Sequence, residues 1–205
     1  MPAGLPRSRG GGVRSPKALR VPGTVIPTLK RAVLRLLAVG LMASVGLAQS
    51  YCDCTPGLGP CGNDVGAGLH GGCINSTGAR AFLGPIGSTS VSVDDLIFVA
   101  NQMPASQPVM LFMGPVAAQL PFGDGLLCVG PGATGLGRFS TKQTSVVGTA
   151  NWGPGLVAYT KANFPSTSWI KPGQTWHFQA WYRDIDGPCG SGTNLTNGLA
   201  MTFVP

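Results

Sequence analysis

His177 and three aspartates are the candidates in this sequence for catalytic side chains. His177 could act as a general base, but a base needs a nucleophile and an orienting partner, and no G-x-S-x-G motif is present. Asp94 and Asp95, with Asp124, could supply the two carboxylates of glycoside hydrolysis. However, adjacent residues of a strand point to opposite faces, and Asp124 lies between two glycines, as turn residues do. We therefore predict turn and capping roles for these aspartates and no catalytic residue.

A possible metal site follows the last long apolar run. The segment Asp184-Ile185-Asp186-Gly187 is similar to the opening of a calcium-binding loop. A full loop needs a bidentate glutamate near its end, yet all seven acidic residues are aspartates and Pro188-Cys189 interrupts the spacing. The sequence favours a structural turn here, with a calcium site at Asp184 and Asp186 as the alternative. No cofactor is predicted.

The aromatic side chains are the remaining candidates for binding, and most lie in the second half of the chain. Exposed tryptophans on a β-scaffold can stack on sugar rings, whereas tryptophan is on average a highly buried residue. We assign Trp176 to the core and take Trp152 and Trp181, with Arg183, as candidate binding residues.

The six cysteines predict disulfides, because an even count in an exported chain is typical of a disulfide framework. A zinc site is disfavoured because Cys52-x-Cys54 lacks the usual spacing of two to four residues. The simplest partition pairs Cys128 with Cys189. It leaves Cys52, Cys54, Cys61 and Cys73 to pair among themselves, with the nested and crossed arrangements both open because a Cys52–Cys54 bridge would be strained.

Short apolar runs between glycine and proline turns dominate the chain beyond residue 79. The predicted strands are Arg80–Leu83, Ser90–Val93, Leu96–Ala100, Val109–Met113, Leu126–Val129, Gly137–Lys142, Trp176–Arg183 and Leu199–Val204. Only 157–163 could form a helical turn or two. The pattern predicts an all-β domain over 80–205, a single β-sandwich of jelly-roll or Ig-like type. Residues 49–79 are predicted to be a disulfide-stapled loop region.

The charge distribution divides the chain near residue 48. All eight basic residues of the leader precede residue 36, whereas six basic and seven acidic residues leave the remainder at −1. The near-neutral remainder argues against an electrostatic nucleic-acid partner. A basic flank, an apolar run over 36–48 and the small-x-small end Gly46-Leu47-Ala48 predict a signal peptide over 1–48 cleaved after Ala48. The run is too short to span a bilayer, so we expect a secreted or cell-surface protein without a membrane span in its mature form.

Six short motifs, taken in order, resemble those of an uncharacterised exported Cys/Gly-rich domain family of planctomycete-type bacteria. They are Cys61-Gly62-Asn63, Gly72-Cys73-Ile74-Asn75-Ser76, Val91-Ser92-Val93-Asp94-Asp95-Leu96, Phe122-Gly123-Asp124-Gly125-Leu126-Leu127-Cys128, Gln179-Ala180-Trp181-Tyr182-Arg183-Asp184 and Asn194-Leu195-Thr196-Asn197-Gly198-Leu199. The resemblance covers about residues 61 to 205. It implies export and no assigned activity.

These observations together predict an exported, non-enzymatic structural or interaction module. The first alternative is a carbohydrate-binding module that uses exposed tryptophan, and the second is a small secreted hydrolase. The partner would be a glycan or another exported protein. An exposed aromatic row would favour the glycan, and a cleft with His177 or paired aspartates at its base would favour the hydrolase.

Overall fold

The computed structural model describes residues 48–205, which all belong to one compact unit. The predicted signal peptide therefore lies outside the described residues, apart from Ala48. The strands are β1 (Ala48–Tyr51), β2 (Phe82–Ile86), β3 (Ile97–Asn101), β4 (Pro108–Gly114), β5 (Val116–Phe122), β6 (Gly125–Gly130), β7 (Gly137–Arg138), β8 (Lys142–Gln143), β9 (Ala150–Trp152), β10 (Thr175–Arg183), β11 (Thr193–Leu195) and β12 (Gly198–Thr202). The helix α1 is Leu156–Asn163, and Ser166–Ser168 form a 3-10 turn.

The strands are arranged in three sheets. The main sheet has the order β1-β12-β10-β4-β7, with β11 also paired to β10 and β8 to β4. The second sheet has the order β2-β3-β9, and the third is the hairpin β5-β6. The predicted β-class is thus confirmed, but three separate sheets do not make the single sandwich that we expected.

The core lies between the main sheet and the second sheet. On β10, Trp176, Phe178, Ala180 and Tyr182 are all buried, as the alternation of the strand predicts. The ring of Phe178 packs against that of Phe98 on β3, with 4.5 Å between centroids. Residues from β4, including Leu111 and Met113, fill the same layer. Helix α1 contributes Leu156 and Val157 to this core.

The helix α1 is capped from a distant part of the chain. Its N-cap is Gly155, which has no side chain to accept the first amide hydrogens. The carboxylate of Asp94 takes that role, accepting hydrogen bonds from the amides of Val157 at 2.8 Å and Ala158 at 3.0 Å. The capping role predicted for Asp94 is confirmed. Within residues 48–205 no helix is long and apolar enough to cross a bilayer.

Two sequence-based strand assignments need correction. Residues 90–93 form a turn instead of a strand, because Ser90 closes it through its carbonyl and hydroxyl groups, which accept from the amides of Asp94 and Val93. The run 137–142 is divided into β7 and β8, both paired to β4. The strands β1, β5, β9 and β11 were not predicted.

The disulfides are Cys52–Cys128, Cys54–Cys73 and Cys61–Cys189. The predicted Cys128–Cys189 bridge is therefore wrong, and only one bridge stays among the first four cysteines. Cys52 pairs with Cys128 because strand β1, which directly precedes Cys52, joins the edge of the main sheet. There the Tyr51 hydroxyl donates to the Cys128 carbonyl at 2.7 Å.

A second contact network brings Cys61 to Cys189. The side-chain amide of Asn63 donates to the Asp124 carbonyl at 2.7 Å, which holds the N-terminal segment against the β5–β6 turn. The buried Asp124 carboxylate in turn accepts hydrogen bonds from the amides of Cys189 and Ser191. Asp124 is thus a turn residue, as predicted, and it also anchors the loop that carries Cys189.

Candidate binding groove

The hairpin β5–β6 stands on the outer face of the main sheet, opposite the core. Gln179 on β10 is fully buried and meets the backbone edge of β6. Its side-chain oxygen accepts from the Cys128 amide at 2.9 Å, and its nitrogen donates to the Leu126 and Thr196 carbonyls, both at 2.7 Å. One polar side chain thereby fixes a hairpin edge that would otherwise leave buried backbone groups without partners.

An apolar groove of about 270 Å³ lies beside this hairpin. Its walls come from β4, the hairpin, β10 and β11, together with β7 and the residue just before it. The lining residues are Met110, Phe112, Phe122, Leu127, Leu136, Arg138, Trp181 and Leu195.

Trp181 is the aromatic residue of this groove that the sequence analysis selected. It is paired with Met110 on β4 and Leu195 on β11, so strands on both sides hold its position. Its side chain is partly buried against the small cluster formed by Phe112, Val129 and Leu195. Trp181 is thus available at a concave surface, between full burial and full exposure.

The tip of the hairpin extends the apolar surface beyond the groove. Phe122 is 49% exposed and Leu120 is 59% exposed. Leu120 lies opposite Leu127, a groove residue, in the hairpin register. Strand β5 contains no charged residue. The sequence-based prediction included neither this surface nor Arg138. The uncharged run over 114–123 is the sequence feature that indicates the surface.

The other two candidate binding residues do not line the groove. Trp152 is only 3% exposed and belongs to the core, where its indole nitrogen donates to the Ser140 carbonyl. Its assignment as a binding residue is wrong, because Trp152 lies opposite Phe98 in the register of β3 and β9 and shares the core face with it. Arg183 is exposed on the same face of β10 as Trp181, but it lies outside the groove.

The two candidate calcium ligands differ in their exposure to solvent. Asp184 is fully buried and accepts from the Ser76 amide, whereas Asp186 is exposed. The amide of Gly187 donates to the Asp184 carbonyl at 3.0 Å, so the predicted turn is present. In the part of the chain that the structure describes, no three His, Cys, Asp or Glu residues are grouped as a metal site would require.

His177 packs against an aromatic ring and away from the groove. The Tyr51 ring meets it edge to face, with 5.4 Å between centroids. Its Nδ1 is buried and, among the described residues, has no hydrogen-bond partner. Burial lowers the pKa of the imidazole below its ordinary value. Asp94, Asp95 and Asp124, the carboxylates considered for catalysis, accept hydrogen bonds from Val157, Ser88 and Cys189.

No protein family, no curated protein and no solved structure matches this chain. The resemblance to the planctomycete domain family stays a prediction.

Proposed function

We propose that this protein is a non-enzymatic interaction module that acts outside the cell and holds an apolar segment of another protein in the groove around Trp181. The observation that supports this proposal is a concave apolar surface on a scaffold with three disulfides. Disulfides persist in oxidising compartments, which is compatible with export. The resemblance to an exported domain family agrees with the same proposal.

The composition of the groove favours a protein partner. Trp and Arg are enriched among the residues that dominate binding energy at protein interfaces, and such residues are concentrated in desolvated pockets. Trp181 and Arg138 both line this groove, and the remaining lining residues are apolar. Burying the apolar lining against an apolar segment gives a hydrophobic gain, and Arg138 is the one lining side chain that would then need a polar partner.

The test uses N-phenyl-1-naphthylamine, an uncharged apolar dye whose fluorescence rises on burial. We expect Trp181→Ala and Phe122→Ser each to weaken dye binding by about tenfold, since each removes on the order of 1.4 kcal/mol of apolar contact. Ile185→Ser is the matched control, because Ile185 is 62% exposed and lies outside the groove. Unchanged dye binding by folded Phe122→Ser protein would contradict the proposal even if Trp181→Ala fails to fold.

A carbohydrate-binding module is the second candidate function, favoured by the three aromatic side chains Phe112, Phe122 and Trp181 in one groove. Sugar hydroxyl groups need hydrogen-bond partners, and Arg138 is the only polar side chain of the lining, so this candidate ranks below the protein partner. Retention on cellulose, chitin or cell-wall columns that is lost with Trp181→Ala would establish it. Turnover of a glycoside, ester or peptide that disappears with His177→Ala would establish the hydrolase instead.

A further inference from the structure

We infer that the segment held in the groove carries a carboxylate beside its apolar anchor, and that Arg138 binds this carboxylate. The inference rests on the proposed function and specifies the chemistry of the partner. Three observations support it: the position of Arg138, the absence of a partner for Arg138 among residues 48–205, and the form of the neighbouring strand edge.

Arg138 is directed to the groove by strand pairing. It lies opposite Phe112 in the register of β4 and β7, and residues that face each other across a ladder project to the same side of a sheet. Phe112 and Arg138 both line the groove. Arg138 is exposed, so its guanidinium is open to solvent beside the apolar lining and accessible to a bound segment.

The guanidinium of Arg138 has no partner within residues 48–205. The one ion pair among them joins His70 to Asp53, and no side-chain hydrogen bond involves Arg138. The carboxylates of Asp94, Asp124 and Asp184 are occupied by backbone amides instead. Because guanidinium forms paired hydrogen bonds with carboxylates, an external carboxylate is the matching group for Arg138.

The edge of β5 is poorly suited to strand addition, which indicates that side chains recognise the partner. An exposed apolar edge strand is a common place for another chain to add a strand. Here Pro121 has no amide hydrogen to donate, and the register shifts between Ala117 and Leu120, which marks a bulge. Both features weaken backbone pairing at this edge. Recognition is then left to the apolar lining and to Arg138.

The first experiment compares two dyes with the same rings. 8-Anilinonaphthalene-1-sulfonate carries an anionic group, and N-phenyl-1-naphthylamine does not. We expect Arg138→Gln to weaken binding of the anionic dye about tenfold and to leave the neutral dye within about twofold, since charge-assisted hydrogen bonds are lost only for the former. Arg183→Gln is the matched control, an exposed arginine on the same sheet face but outside the groove.

The dye results separate the two proposals. If neither dye responds to Trp181→Ala or Phe122→Ser, the proposed function fails. A second outcome is that both dyes bind more weakly to those variants, but the affinity of the anionic dye is unchanged by Arg138→Gln or is lowered equally by Arg183→Gln. In that case the groove is supported and the assignment of Arg138 is overturned.

The second experiment tests the class of partner. A blocked hexapeptide of alternating leucine and glutamate should bind the wild-type protein more tightly than the same peptide with glutamine, and Arg138→Gln should abolish the difference. Calorimetric titration of trigalacturonate provides the contrasting arm. Arg138-dependent binding of the acidic sugar, without binding of the glutamate peptide, would overturn the protein partner in favour of an acidic glycan.

Discussion

At the scale of single residues, the charge state of His177 is coupled to its packing. The ring lies beside Tyr51, whose pKa is raised far above its usual range by burial. Tyr51 therefore stays neutral and supplies no negative charge that would stabilise an imidazolium at His177. The unfolded chain exposes His177 to water, where it titrates near 6.5. Because the pKa of the folded state is lower than that of the unfolded state, the unfolded chain binds more protons in the interval between the two values.

We therefore expect the free energy of unfolding to decrease as the pH falls from about 6.5 towards the folded-state pKa of His177. The decrease should be well below the roughly 1.4 kcal/mol per pH unit of one fully coupled proton, since water screens a partly exposed ring. Thermal melts between pH 5 and 8 measure it. His177→Gln should flatten this part of the profile. An unchanged slope in His177→Gln would refute the assignment.

At the scale of elements, Gln179 decides where the β5–β6 hairpin stands. Its three hydrogen bonds connect β10 to β6 and to the segment before β12. The groove exists because the hairpin stands at this position, with Phe122 and Leu127 facing Trp181 across it. A polar residue on the outer face of β10 thus shapes the apolar site.

We expect Gln179→Leu to cost about 2–4 kcal/mol of stability, because it leaves the Cys128 amide and two carbonyls buried without partners. Chemical denaturation measures the loss, and neutral-dye binding should weaken with it. Gln143→Leu on the exposed strand β8 is the control and should change stability by less than about 0.5 kcal/mol. A Gln179→Leu protein of normal stability would show that the three Gln179 hydrogen bonds do not hold the hairpin in place.

At the scale of the whole molecule, two of the three disulfides tie the N-terminal segment to distant parts of the chain. Cys52–Cys128 and Cys61–Cys189 span 76 and 128 residues, whereas Cys54–Cys73 spans 19. Longer closed loops restrict the unfolded chain more, so the long-range bridges contribute most in the chain-entropy account. The segment 49–79 is therefore tied to both the hairpin and the loop before β11.

We expect Cys61→Ala with Cys189→Ala to lower the free energy of unfolding by about 4–5 kcal/mol, as measured by urea denaturation. Both cysteines lie near the surface, so the variant loses little packing. Non-reducing tryptic mapping provides the check on pairing. The observed bridges link the peptides that end at Arg80 and Arg138 and the peptide that begins at Asp184 into one species. A linked pair of the peptides 81–138 and 184–205, without the N-terminal peptide, would instead support the Cys128–Cys189 pairing predicted from the sequence.

The sequence by itself determined the features that depend on near neighbours along the chain. Alternation placed Phe178 and Tyr182 on the core face of β10, and the Gly123-Asp124-Gly125 turn and the short helix near 157–163 follow from local residue preferences. The β-class follows from the many short apolar runs between turn residues.

Tertiary structure alone decided the disulfide partners, the burial of Trp152 and the position of the groove. Each depends on which distant segments come into contact, and the spacing of residues along the chain does not determine those contacts. Cys128 and Cys189 are the two cysteines farthest from the N-terminal group in sequence, yet β1 and the Asn63–Asp124 contact bring that group to both. On the outer face of β10 the hairpin covers Gln179 and leaves Trp181 partly open. The burial of Gln179 costs little because its side chain has three backbone partners.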